Sequence, residues 1–91
     1  MASFQPKKRI YTGPIDLGSQ PKTWLAKHRS FASEDWIESQ VRYCEWLPNK
    51  ERQFLIYTAV FEGIKPLTIL IKVQMFDAYA HVYHVHVLRK K

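Results

Sequence analysis

The feature that most constrains this chain is a change of hydrophobic period at Lys50-Glu51. Beyond it Phe54, Ile56, Thr58 and Val60 alternate with Leu55, Tyr57, Ala59 and Phe61, so the segment reads as a strand with two fairly apolar faces, placed centrally in a sheet. Ile69, Ile71, Val73 and Met75 then alternate with Leu70, Lys72 and Gln74, a half-buried strand running from Leu67 to Met75. A third strand is expected from Tyr79 to Leu88, with Tyr83, Val85 and Val87 opposite His84, His86 and Leu88. The connections are Glu62-Gly63-Ile64-Lys65-Pro66 and Phe76-Asp77-Ala78, both of hairpin length.

Before the change the spacing is helical. Pro21 suits a first helical turn, where its missing N–H costs nothing, and Trp24, Leu25 and His28 follow on one side. Ser30 or Ser33 is placed to cap a second helix, with Glu34 and Asp35 favourable in its first turn. Ile37, Val41 and Cys44 give that helix an apolar stripe, and Pro48-Asn49 is expected to stop it. Residues 1–20 read as an irregular basic arm, with Ile10-Tyr11-Thr12 as a short edge strand closed by Gly13-Pro14. The expectation is an α+β fold: one or two N-terminal helices packed on a three- to four-strand antiparallel meander, with residues 21–91 as one domain. A single core of Ile37, Val41, Ile56, Val60, Ile69, Ile71 and Val85 follows from those stripes.

Ninety-one residues leave room for only one core, and 46% apolar content excludes a disordered chain. The formal charge of +6 gathers in Lys7-Lys8-Arg9, Lys22, Lys27, Arg29 and Arg89-Lys90-Lys91, and it favours anionic partners: an acidic protein surface or RNA. The lone Cys44 excludes an internal disulfide; on the helical stripe it reads as an inert, packed thiol. No apolar leader precedes the basic residues, so a cytoplasmic protein is expected. The apolar run at Leu67–Val73 is far short of the ~20 residues of a membrane-spanning helix, so no membrane insertion is expected. Two-faced apolar strands also suit a homo-oligomer or a heteromeric complex.

The most unusual local word is His81-Val82-Tyr83-His84-Val85-His86-Val87. A two-residue period puts His84 and His86 on one face, about 7 Å apart along the strand, and His81 with Tyr83 on the other. Imidazoles titrate near neutrality, which makes His84 and His86, with Tyr83, the candidate proton-transfer groups. Packing of a polar strand face is the competing account of the same residues. A structural zinc site needs four ligands at recognisable spacing, which the chain lacks, so neither metal nor cofactor is expected. Arg89, Lys90 and Lys27 are the candidate anion or nucleic-acid contacts. Trp24 and Trp36 fall on helix faces, whereas Trp46, at a helix end, is the best placed of the three tryptophans to be partly exposed.

The words Trp24-Leu25-Ala26-Lys27-His28, Phe31-Ala32-Ser33-Glu34-Asp35, Glu51-Arg52-Gln53-Phe54-Leu55-Ile56 and Val87-Leu88-Arg89 come in the order helix, helix, three antiparallel strands. In that order the chain resembles the small RelE-like ribonuclease toxins, the BrnT branch in particular, from Trp24 to Lys91. The resemblance implies metal-independent RNA cleavage, in which a 2′-hydroxyl attacks the adjacent phosphorus under cationic side chains. Arg89 is the position that carries over from that family. The main expectation is nonetheless a small basic protein that docks on an acidic partner or assembly, with an RNA-binding protein or ribonuclease toxin as the alternative.

Overall fold

In the computed structural model, which describes residues 9–88, the elements run β1 (Ile15–Leu17), α1 (Ser19–Lys27), α2 (Glu34–Tyr43), β2 (Leu47–Lys50), β3 (Gln53–Glu62), β4 (Lys65–Met75) and β5 (Ala80–Leu88). The five strands form one mixed sheet in the order β1-β5-β4-β3-β2. The antiparallel meander of β3, β4 and β5 is as the alternation predicts, but the sheet is wider than a three- to four-strand meander and not wholly antiparallel. A strand on each side accounts for the difference: β1 pairs parallel with β5, and β2 pairs antiparallel with the start of β3.

β1 corrects the expected edge strand at Ile10-Tyr11-Thr12. Those residues dock instead on the end of α2, where the Ile10 and Tyr11 N–H groups both donate to the Arg42 carbonyl. The strand forms after Pro14, whose carbonyl accepts from Ala80 N–H, and Ile15 and Leu17 turn toward the core while Asp16 faces out. Gly18 ends it in close contact with β5: its N–H donates to Val82 O at 2.8 Å, and an added Cβ would lie 3.2 Å from the His81 ring.

α2 begins as its sequence predicts. Ser33 Oγ accepts from Trp36 N–H at 3.1 Å, and Glu34 and Asp35 occupy the first turn. It ends earlier than Pro48-Asn49, at Tyr43, with Cys44 as its cap; Pro48 and Asn49 lie in β2. Edge position explains why proline is tolerated there, since an outward-facing nitrogen leaves no ladder bond unmade. The β3–β4 turn is also tighter than expected, only Gly63-Ile64, with Gly63 at φ 62° and the ladder continuing to Glu62 and Lys65.

The core lies between the helices and one face of the sheet. Ile56, Ile69, Ile71, Val73, Val82 and Val85 are fully buried, and Ile37 and Val41 of α2 cover them with Trp24 and Leu25 of α1. Every residue of the expected core belongs to it, Val60 at its margin. Trp46 is partly exposed, as its place near a helix end predicts, and Trp36 is partly exposed as well; the Trp46 indole N–H donates to Val41 O, and its ring packs against Tyr11 and Phe54. Cys44 is partly buried, its thiol donating to Gln40 Oε1.

Candidate nucleic-acid interface

Both helices pack on the same side of the sheet, which leaves the other side open, and strand registers set what that side displays. Leu55 lies opposite Lys72, which lies opposite His84; Tyr57 lies opposite Leu70, which lies opposite His86. A further row crosses Gln53, Gln74, His81 and Asp16. The histidines therefore share a face with a lysine and an exposed tyrosine.

A β-bulge makes one of these placements different from the two-residue count. Lys72 pairs with His84 but the next residue, Val73, pairs with Val82, so Tyr83 is an extra residue in β5. The parity of the strand reverses there: Ala80 and Val82 point into the core before it, Val85 and Val87 after it. His81 consequently lies on the open face with His84 and His86, not on the opposite one. Tyr83, the bulged residue, is half-buried beside them.

The His84 and His86 rings sit 4.8 Å apart between centroids, tilted at 61°. Burial lowers the His84 pKa below the ordinary histidine value, and the adjacent His86 and Lys72 lower it further, so His84 stays neutral to more acidic pH than a free imidazole. Neutral, it is able to accept a proton; the Lys72 ammonium beside it is suited to a phosphate. His86 Nδ1 is buried without a hydrogen-bond partner, the one such side-chain atom among the described residues. His81 is held differently, with Nδ1 at 2.7 Å from Asp16 Oδ2, which fixes its ring and leaves Nε2 as the free nitrogen.

Of the candidates from the sequence, the fold brings together His84, His86 and Tyr83. It does not bring Lys27 to them: that residue ends α1, in the helical layer on the far side of the sheet. His28 likewise stays with α1, stacked on Trp24 with Nδ1 at 2.7 Å from Trp24 O. Arg89 and Lys90 lie outside the described residues. Lys72, His81, Asp16 and Tyr57 join the face unforeseen. Lys72 and Tyr57 were recoverable from cross-strand register, while the Asp16–His81 pair links residues 65 apart with no local signal. Among the described residues no three His, Cys, Asp or Glu side chains converge as metal ligands, and no helix is long and apolar enough to cross a membrane. No family model, curated protein or solved structure matches the chain.

Proposed function

We propose that this protein binds single-stranded RNA across the open face of its sheet. One observation carries the reading: the face sets rings able to stack with bases beside a lysine able to meet a phosphate. Tyr57 is 48% exposed, His86 of the His84–His86 pair lies in the same row across Leu70, and Lys72 lies in the neighbouring row. Its aspartate, Asp16, is at the margin and already engaged by His81. Single strands are recognised in this way, by ring stacking on bases and by charge along the backbone.

Cleavage is the further step that the RelE-like resemblance implies. Above the ordinary histidine pKa, where its imidazole is neutral, His84 is placed as the acceptor of the 2′-hydroxyl proton, and Lys72 as the charge opposite the phosphate. The test is binding to single-stranded RNA at several salt concentrations, followed by a cleavage assay in chelator. Lys72→Ala should flatten the salt dependence by about 0.7 in log–log slope, one phosphate contact on a single strand. His84→Ala should reduce cleavage more than binding if the RNA is cut. Absence of wild-type binding at low salt overturns the reading.

Docking on an acidic protein partner rests on a different observation. Leu55, Leu70 and Leu88 share the face with Lys72 and the histidines, and apolar side chains of this kind suit a protein surface better than a nucleic acid. A protein that ignores RNA at low salt leaves this second reading ahead.

A further inference from the structure

We propose that the free edge of β3 pairs antiparallel with the same edge of a second copy of this chain, across a two-fold axis at Ala59. The two edges of the sheet are finished differently. At β5, β1 pairs with Ala80–Val82, and the Gln20 amide then takes the place of a strand: its Nε2 donates to Val85 O at 2.9 Å and its Oε1 accepts from Val85 N–H at 2.8 Å. At β3, β2 covers only Gln53–Leu55, and among the described residues Ile56–Glu62 has no strand partner on that side.

Natural edge strands are blunted by lysine, proline or bulges. Ile56-Tyr57-Thr58-Ala59-Val60-Phe61 has none of these and pairs with β4 without a register shift. A neighbouring strand is the state its composition fits. Several of the most exposed large apolar residues bracket the same stretch: Leu47 at 39%, Tyr57 at 48%, Phe61 at 67% and Ile64 at 95%.

Charge and symmetry select the second copy as occupant. An acidic partner gains nothing from Ile56–Phe61, which carries no cation, whereas two copies of a chain of charge +6 meet most easily where neither presents one. Antiparallel pairing about Ala59 sets each Phe61 opposite Tyr57 of the partner subunit, giving two aromatic cross-strand pairs around a small central residue. The interface is self-complementary; it shares Tyr57 with the proposed RNA surface but not Lys72, His84 or His86, and the oligomeric state measured without RNA tests it separately from RNA binding.

The experiment is light scattering or sedimentation across a concentration series for the wild type, Ala59→Lys, Ala59→Glu and an equimolar mixture of the two variants. The wild type is expected to dimerise. Each variant alone, with like charges facing at the axis, should dimerise at least about tenfold more weakly, and the mixture should recover most of the loss. Amide exchange at Tyr57, Ala59 and Phe61, whose N–H groups point away from β4, should slow in the wild type as concentration rises, a readout that needs no variant to fold. A wild type monomeric throughout overturns the proposal. So does a dimer indifferent to charge at position 59, or edge amides whose exchange does not depend on concentration.

Discussion

The two faces of this sheet are made by the same three strands and put to different use. On the helical side Ile56, Ile71, Val73, Val82 and Val85 are sealed completely, and among the described residues no polar or charged residue is buried. On the other side the same strands place Tyr57, Lys72, His84 and His86, all partly exposed, and leave one imidazole nitrogen without a partner. Removal of apolar area from water supplies the dominant favourable term of folding, so stability is concentrated on the first face. The orphaned His86 nitrogen and the partly desolvated His84 beside Lys72 cost stability on the second, a cost that the proposed binding role would explain.

The contrast is broken most forcefully from the covered side. Ile71 lies between Ile56 and Val85 in the ladder with no exposure, so Ile71→Ala should lose about 2–4 kcal/mol of unfolding free energy through transfer and cavity terms. Denaturant titration measures it; a loss below about half a kcal/mol would mean the core is misplaced. Leu70 sharpens the boundary. It points to the open side yet is only 7% exposed, lying between Tyr57 and His86. Truncation to Ala opens toward solvent and leaves no sealed cavity, so about 1–2 kcal/mol is expected. A loss equal to that of Ile71→Ala would show that the two faces do not differ as described. Tyr57→Ala should change stability by no more than about 0.5 kcal/mol, whereas a stacked base lost from it should weaken RNA binding by about 1–3 kcal/mol. A stability loss at Tyr57 without a binding loss would assign that ring to packing.

What was legible in the chain divides along the same line. Alternation of Ile69, Ile71 and Val73 against Lys72 and Gln74 identifies β4 because burial on one face imposes a period that survives in any context. Ile37 and Val41 identify the buried side of α2 for the same reason. β1 and β2 are too short to show a period: Ile15-Asp16-Leu17 has a single alternation, and Leu47-Pro48-Asn49-Lys50, exposed throughout, reads as a break. Their strand character comes from the neighbours they join. The bulge at Tyr83 did leave a trace, since Val82 and Val85 are both sealed although an odd step separates them. A strict two-residue count across that step put His81 on the wrong face. Lys72 was visible as a polar interruption of an apolar strand, but its place beside His84 depends on a register that spans two turns.

The smallest expected effect is a dependence on pH that runs in opposite directions for folding and for binding. His84 has its folded pKa lowered from 6.5 by burial and by His86 and Lys72 beside it, so near that value the unfolded chain takes up a proton more readily than the folded one. This contribution to stability is present above the ordinary histidine pKa and is lost as pH falls through 6.5 toward the folded value. His84→Gln, which keeps a polar group but cannot titrate there, should flatten that part of the stability profile. A bound phosphate reverses the balance, because its negative charge offsets Lys72 and His86 and favours the imidazolium. RNA binding should therefore take up a proton, and affinity should rise over the same interval in which stability falls. Isothermal titration in two buffers of different ionisation enthalpy reads that uptake directly, and His84→Gln should reduce it. Equal heats in the two buffers, or uptake unchanged by the substitution, would place the anion away from His84 and remove the histidine pair from the interface.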